Sequence, residues 1–219
     1  MKVTDCLRRD ADVIWQHLVR HPFVVELYSG DLPLDKFKFY ILHDYYYLTT
    51  AMKNFSLLAA KAPTVEDLRD ILDILRLEAE SEYEGYKKFL YRLGYSIPEA
   101  VKQEPIPISI SYGSFLLSTS TLKSYPEAIT AVLPCFWSYA EIADYHGDKL
   151  HDNKNQLYTD WAKVYGTDSY RDLVGKIKQL VNRVDETCPY DKLLRIFTQA
   201  SRYEYLFWNA VYTQEQWPI

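Results

Sequence analysis

The stretch AITAVLPCFWSYAEI, residues 128–142, carries the pattern of an amphipathic helix, which indicates the fold class. Its apolar positions recur at steps of four, three, four and three residues, which is the inward stripe of an amphipathic helix. The stripe consists of Ala128, Val132, Cys135, Tyr139 and Ile142. We therefore expect the Cys135 thiol to face the protein interior.

Two more predicted helices place an ionisable group on an apolar stripe. An unpaired carboxylate in apolar surroundings costs several kcal/mol, so such a group has a partner or a function. One case of this kind is ordinary, whereas three on three helices indicate a site. The two stripes are Phe37, Tyr40, Asp44, Tyr47, Ala51 and Leu194, Phe197, Ser201, Glu204, Phe207, Val211.

Composition favours one all-α domain. A chain of 219 residues suits a single core, and only 7 glycines argue against a sheet with tight turns. Helical signals run from end to end without a repeat or a dividing linker, which predicts one up-and-down helical bundle over residues 1–219. Helices are expected at 5–20, 37–58, 65–94, 108–121, 157–165, 170–185 and 191–212, with a proline-rich connection at 95–107. The helix that carries Cys135 is expected between a break at 124–126 and Gly147.

The helix that ends near Gly94 begins with a capping pattern, Thr64 followed by Asp67. Periodicity assigns its inward stripe to Leu68, Ile71, Leu72, Leu75, Ala79, Glu82, Tyr86 and Phe89.

Charge and hydropathy exclude several classes of partner. A net charge of −5 and a pI near 5.6 supply no basic surface for nucleic acid. Apolar runs fall short of the roughly 20 residues that span a bilayer, and Arg8 and Asp10 interrupt any signal peptide. We expect a cytoplasmic protein whose three cysteines are free thiols.

Pro134 allows two interpretations. Inside a helix it would deprive the Thr130 carbonyl of its donor and bend the helix beside Cys135, which opens room for a ligand. In a first helical turn it would be tolerated without consequence.

The thiol itself also has two interpretations. It is either a small buried hydrophobe or a nucleophile that must lose a proton, since the thiolate is the reactive form. No histidine has an obvious place beside it, so Asp44 and Glu204 are the candidate proton carriers. Each acid could instead form a structural hydrogen bond between helices.

Metal chemistry is disfavoured. A di-iron bundle needs Glu-x-x-His on two helices, and no histidine here has a glutamate at that spacing. A haem site with His17 or His21 as axial ligand stays open, although no glycine-rich helix offers close approach to a macrocycle. We predict no metal site and no cofactor.

Five segments carry a family resemblance. Together they resemble the TenA family, the thiaminase II or aminopyrimidine aminohydrolase group, in its cysteine-containing branch. The segments are HPF at 21–23, FYILHDYYYL at 39–48, LPCFWSYAEI at 133–142, WAKVY at 161–165 and YEYLFW at 203–208.

The resemblance implies a haem-oxygenase-like fold and a set of roles. It makes Cys135 the nucleophile, Glu204 the acid/base at a pyrimidine ring nitrogen, and Asp44 the group that holds the amino substituent. One departure is His43, where family members commonly have Gln. The implied pocket lining is Tyr47, Tyr112, Tyr139 and Tyr165.

The implied reaction is hydrolysis of 4-amino-5-aminomethyl-2-methylpyrimidine to the hydroxymethyl compound and ammonia, with thiamin cleavage by the same route. The small-molecule pyrimidine is then the partner, without nucleic acid or membrane, and the resemblance suggests a homotetramer. Two rivals remain: a haem-oxygenase-fold oxidase similar to pyrroloquinoline-quinone synthase, and a non-catalytic protein with a role in transcription.

Overall fold

The computed structural model describes residues 2–183 and 188–219, and within these ranges the chain forms helices and no strand. The all-α class predicted from periodicity is confirmed. The helices are α1 (Val3–Asp10), α2 (Asp12–Val19), α3 (Pro22–Ser29), α4 (Leu34–Lys61), α5 (Val65–Leu77), α6 (Tyr83–Arg92), α7 (Ile97–Lys102), α8 (Pro107–Leu122), α9 (Tyr125–His146), α10 (Gln156–Tyr165), α11 (Asp168–Arg183) and α12 (Tyr190–Thr213), with a π-helical turn at Glu78–Glu82 and a 3₁₀ turn at Gly147–His151.

Two predicted segments differ from the structure. The segment 5–20 is two helices that meet at Ala11, and the connection at 95–107 contains the short helix α7. A capping box between Ser96 and Glu99 starts α7, and this local signal outweighs the prolines around it. The predicted end of the helix 170–185 at Asp185 lies outside the described residues.

Helix α3 was not predicted, and its ends are held by side chains. His21 Nδ1 accepts the Phe23 N–H at 3.2 Å, and Pro22 occupies the first turn. At the other end, Gly30 has a φ of 92°, a conformation that favours glycine. The Asn153 amide donates to the carbonyls of Leu27 and Tyr28 at 2.9 and 3.1 Å, so it caps the end of the helix.

The chain forms two compact units, and the first takes in the described residues of Met1–Leu32 and Pro126–Asn209. Trp15 anchors this unit: its ring stacks on Phe197 with centroids 5.7 Å apart, and its indole N–H donates to Ser201 Oγ at 3.0 Å. Arg8 on α1 pairs with Glu141 on α9 through two guanidinium nitrogens. These contacts fix α1, α2, α9 and α12 around one core.

The second unit consists of Pro33–Tyr125 and Ala210–Ile219. Helices α4 and α8 approach closely at Gly113, where a Cβ would lie 3.0 Å from Tyr46 Cε1 and 3.2 Å from Thr50 Cγ2. Ser120 Oγ also donates to Asn54 Oδ1 at 2.6 Å in the buried interface. The single-domain prediction for residues 1–219 stays a prediction.

Helices α5 and α6 follow one another through the π-helical turn. The predicted capping pattern is confirmed, because Thr64 Oγ1 accepts the Asp67 N–H at 3.0 Å. The predicted stripe is wrong in part, since Leu72 is 48 % exposed and Ala79 is exposed as well. In α5 the buried stripe keeps the 3.6-residue period but lies one residue earlier than predicted, and the π-helical turn breaks the period only from Glu78 onward. The buried positions are Asp67, Ile71, Ile74, Glu78, Tyr86 and Leu90.

Among the described residues, every helix is too short or too polar to span a bilayer.

Candidate active site

Helix α9 places Cys135 in the interior of the first unit. Pro134 lies well inside the helix, so the interpretation that put it in a first turn is wrong. Because proline has no N–H, the backbone bond to the Thr130 carbonyl is missing at this point. Cys135 is 6 % exposed, and its thiol donates to the Val132 carbonyl with a sulphur to oxygen distance of 2.8 Å.

An aromatic cluster lies one helical turn from the thiol. Tyr139, four residues after Cys135 on α9, packs against Tyr165 of α10 with ring centroids 4.7 Å apart and against Trp208 of α12 at 5.2 Å. Trp161 joins the cluster 4.7 Å from Tyr165 and 6.4 Å from Trp208. We call Tyr139, Trp161, Tyr165 and Trp208 the aromatic cluster.

Glu204 lies one turn before Trp208 on α12. Its side chain is on the buried stripe of the helix and is only 2 % exposed. Residues four apart on a helix share a face, so Cys135 and Glu204 each lie on the same helix face as a member of the aromatic cluster. A buried thiol and a buried carboxyl group flanking stacked rings suit nucleophilic chemistry on a flat ring with proton transfer.

The remaining predicted site residues lie in the second unit. Asp44 and Tyr47 are half-buried on α4, whereas Tyr112 is buried on α8. The rings of Tyr47 and Tyr112 contact each other with centroids 5.7 Å apart. The structure therefore brings these two tyrosines together across the packed helices α4 and α8.

Two further acids accompany Asp44. Burial raises the pKa of Glu78 well above its ordinary value, and the charges of Glu82 and Asp44 raise it further. Burial also raises the pKa of Glu82, to about 7. We call Asp44, Glu78 and Glu82 the acidic trio.

His43, the departure from the family pattern, is also buried. Its ring lies 4.2 Å from that of Phe39, and burial lowers the pKa of the imidazole to about 4. The residue forms part of the wall of a cleft of about 130 Å³, together with Tyr46 and Gln103. At neutral pH it adds no charge beside Asp44.

No group of three or more His, Cys, Asp or Glu residues in the described ranges has the geometry to hold a metal ion. His21, one of the two histidines considered for haem, instead caps α3, and burial lowers its pKa to about 4. His17 is exposed, with its ring 6.3 Å from that of Tyr205.

Sequence reasoning missed two features of these regions. No local pattern marks Trp161 and Trp208 as neighbours of Tyr139, because their place beside it depends on contacts between distant helices. Glu78 lies in the run EAESE at 78–82, and such an acidic run is typical of an exposed surface. Its spacing of four from Ile74 and seven from Ile71 was the available signal.

The arrangement of the helices identifies the fold class of the protein. A domain with a haem oxygenase-like fold from Shewanella denitrificans OS217 superimposes on this chain with a TM-score of 0.77. The match covers 98 % of this chain and 93 % of that one. Because the sequences are only 13 % identical, this likeness shows the fold alone. The predicted haem-oxygenase-like fold is confirmed.

The chain belongs to the TENA/THI-4/PQQC family, whose model matches residues 8–214. The aminopyrimidine aminohydrolase of Bacillus subtilis strain 168 is 32 % identical, over 99 % of this chain and 92 % of the relative. A TenA homologue from P. horikoshii OT3 is 40 % identical, with a TM-score of 0.94, and the match covers 98 % of this chain and all of that one.

Proposed function

We propose that this protein is a hydrolase of thiamin salvage, which converts 4-amino-5-aminomethyl-2-methylpyrimidine and water into the hydroxymethyl compound and ammonia. The observation that carries the proposal is the burial of Cys135 and Glu204 one helical turn from the aromatic cluster. The full-length likeness to a protein named aminopyrimidine aminohydrolase supports the same reaction.

Cys135 is the nucleophile in this proposal. Its thiol donates to the Val132 carbonyl, so the proton has to pass to another acceptor before attack. The thiolate then forms a carbon–sulphur bond to the electron-poor pyrimidine, the amine leaves the methylene as ammonia, and water supplies the hydroxyl group as the carbon–sulphur bond breaks. The proton that the thiol loses leaves with the amine as part of ammonia. Water then supplies the hydroxyl group and returns a proton to the thiol, so the atoms balance.

The two carboxylates have separate roles. Glu204 delivers and removes the proton at a ring nitrogen, a task suited to an acid that is shielded from water. Asp44 accepts a hydrogen bond from the exocyclic amino group and orients the ring. The tyrosines at 47, 112, 139 and 165 supply aromatic faces and hydroxyl groups for a flat heterocycle.

The same proposal covers the finer expectations. Thiamin is cleaved by the same steps, with the thiazole as leaving group in place of ammonia. The protein works in the cytoplasm as a homotetramer, and none of the proposed steps calls for a metal or an organic cofactor.

The rival oxidase has one point in its favour, since the family name includes PQQC and so does not separate the two reactions. The hydrolase is preferred because the relative over almost the full length is named for hydrolysis. A protein with a role in transcription would be expected to bind DNA directly. The net charge of −5 opposes such binding.

Turnover of the aminomethylpyrimidine tests the proposal. Release of ammonia and of the hydroxymethyl compound is measured for the wild type and for Cys135→Ser. The variant is expected to keep its circular dichroism spectrum and to lose at least about a hundredfold in kcat, because an alcohol is a much weaker nucleophile than a thiolate at neutral pH.

Cys6→Ser is the matched control, since that half-buried thiol has no place in the mechanism. It is expected to retain full activity. A kcat near the wild-type value in Cys135→Ser would end the covalent mechanism. Absence of ammonia release by the wild type, or a mobility shift of DNA at physiological salt, would end the hydrolase assignment.

A further inference from the structure

The cleft beside His43 lies within the second unit, between α4 and the facing segment 100–105, and has a volume of about 130 Å³. Its lining includes Leu42, His43 and Tyr46 on α4 and Val101, Gln103 and Pro105 on the facing segment. The side chain of Val101 is 55 % exposed, so it lies at the mouth of the cleft. No residue that lines the cleft takes part in the reaction proposed above.

His43 is the most deeply buried polar group of the lining. The residue is 6 % exposed, and neither ring nitrogen has a hydrogen bond within the described part of the chain. Nδ1 is sealed from solvent whereas Nε2 is not, so Nε2 is the nitrogen that can meet a bound molecule. Buried polar groups in folded proteins are nearly always hydrogen-bonded to protein, water or a ligand. An imidazole buried without a protein partner therefore points to a molecule in the cleft.

Packing accounts for one face of the imidazole only. The ring of His43 lies 4.2 Å from that of Phe39, and this contact would be made equally well by an apolar side chain. Burying two polar nitrogens costs free energy that an apolar side chain would avoid. Contact with Phe39 therefore does not explain why a histidine occupies this position.

Tyr46 places a second polar group on the same wall. It follows His43 by three residues on α4, so the two side chains share a face of the helix. The ring is held against α8, since a Cβ on Gly113 would lie 3.0 Å from Tyr46 Cε1. The hydroxyl group has no hydrogen bond within the described ranges and is not sealed from solvent. Two hydrogen-bonding groups are thus available along one wall.

The facing wall is held at both ends. A capping box between Ser96 and Glu99 starts α7, which leads into this segment. The carbonyl of Pro105 accepts the indole N–H of Trp217 at 3.0 Å, so the C-terminal residues fix the far end. A cleft whose wall is already fixed binds a ligand with less loss of conformational entropy.

The lining limits the chemistry of the ligand. The nine described residues that form it include no Lys, Arg, Asp or Glu, so an ion would lose hydration without gaining a charged partner. A cavity of about 150 Å³ holds benzene, so a volume of about 130 Å³ suits a single ring of five or six atoms. Polar groups along one wall and mainly apolar side chains along the other favour a ring with one polar edge.

We propose that this cleft is a second ligand site, which binds a small, uncharged nitrogen heteroaromatic ring through His43 and Tyr46. The nitrogen edge of the ring meets His43 Nε2 and the Tyr46 hydroxyl group, and the carbon atoms contact Val101 and Pro105. The inference does not rest on the proposed function, because the cleft shares no residue with the proposed catalytic machinery.

Pyrazole is the probe, since it is an uncharged five-membered ring with a hydrogen-bond donor and an acceptor on adjacent atoms. The imidazole nitrogen resonances of the 5 histidines are followed by NMR as pyrazole is added, and the His43 signals are assigned by their absence from His43→Phe. A shift of the His43 signals that saturates with a Kd of about 0.1–10 mM is expected, as befits a ligand of five heavy atoms. Absence of that shift in the wild type would overturn the inference.

A second comparison isolates the hydrogen bond. In His43→Phe the ring contacts remain and one hydrogen bond is lost, so the Kd for pyrazole, measured by saturation-transfer NMR, should rise about threefold to tenfold. Thiophene has the same ring size and no nitrogen, so its Kd should not rise in this variant. An unchanged Kd for pyrazole, or an equal rise for both rings, would contradict recognition by His43.

Val101→Trp keeps the test independent of any change at a buried position. A larger side chain at the mouth closes the cleft without entering the core, so the His43 shift should be lost. Val65→Trp is the matched control, because Val65 is 65 % exposed on α5 and lies outside the lining; it should titrate like the wild type. A full His43 shift in Val101→Trp would show that pyrazole binds elsewhere.

One more variant separates this site from the proposed active site. Glu204→Gln should give the same His43 titration as the wild type, and loss of the shift in that variant would overturn the claim of a separate site. Failure of the wild type to release ammonia, or to bind 4-amino-5-hydroxymethyl-2-methylpyrimidine, would refute the proposed function. The pyrazole titration needs neither event, so the two failures are distinguishable.

Discussion

Replacing Glu82 by Gln should alter how the free energy of unfolding depends on pH. Burial raises the pKa of Glu82 to about 7 from an ordinary 4.5. A raised pKa means that the folded state binds the proton more tightly, so this stabilisation is present below pH 4.5 and is lost as pH rises through 7. The two pKa values differ by about 2.5, which corresponds to about 3 kcal/mol in the free energy of unfolding.

The assay is urea unfolding followed by circular dichroism at several pH values between 4 and 8, with the wild type and Glu82→Gln compared at each pH. The comparison is needed because His21 and His43, whose pKa values burial lowers to about 4, stabilise the fold as pH rises through this range. Their effect has the opposite sign and cancels in the difference. The variant is expected to gain about 3 kcal/mol relative to the wild type from pH 4 to pH 8.

A difference between the two proteins that does not change with pH would refute the reasoning, because it would mean that Glu82 has the same pKa folded and unfolded. Glu80→Gln serves as the reference substitution: the side chain is exposed on the same π-helical turn, and its unfolding should differ from the wild type by less than about 1 kcal/mol at every pH.

Three more outcomes are expected. Ser201→Ala should lower the free energy of unfolding by about 1–3 kcal/mol, measured with urea, because the buried Trp15 N–H loses its acceptor; an unchanged value would contradict this. Gly30→Ala should cost at least about 1 kcal/mol by the same method, because φ is 92° and an asparagine side chain would lie 2.6 Å from the new Cβ; equal stability would show that the C-terminal cap of α3 adjusts freely. Glu204→Gln should retain binding of the hydroxymethylpyrimidine while kcat collapses, whereas Asp44→Asn should weaken that binding about tenfold to a hundredfold by calorimetry; the reverse pattern would exchange the two roles.

The helices were predictable from the sequence because their apolar stripes have a regular period. The stripe through Cys135 is buried as expected, with Tyr139 half-buried, and the burial of Glu204 and Phe207 follows the same rule. Leu194 is only half-buried, since the neighbouring Leu193 takes the inward position near the start of α12. Periodicity fails in this way where a helix begins, because the turn before it sets the phase.

What the sequence could not supply depends on contacts between distant segments or on a change of helical type. Trp208 meets Tyr139 only because α9 and α12 pack in one unit, and no local pattern encodes that meeting. Glu78 continues the buried stripe of Ile71 and Ile74, and the π-helical turn that begins there changes the pitch, so that the next buried position is Tyr86. The roles of Cys135 and Asp44 came from family resemblance and stay proposals, since spacing alone left a structural interpretation open for each.

The π-helical turn affects how the fold responds to the insertion or deletion of one codon. An α-helical residue turns the chain by about 100°, so one extra codon in a regular helix would carry every later side chain to a different face. A π-helical turn absorbs one extra residue and leaves the face that follows unchanged, which is how Tyr86 and Leu90 remain buried beyond Glu82. Loss of one codon within this turn should therefore be tolerated by α6, whereas the same deletion inside α5 or α6 would turn buried side chains toward water.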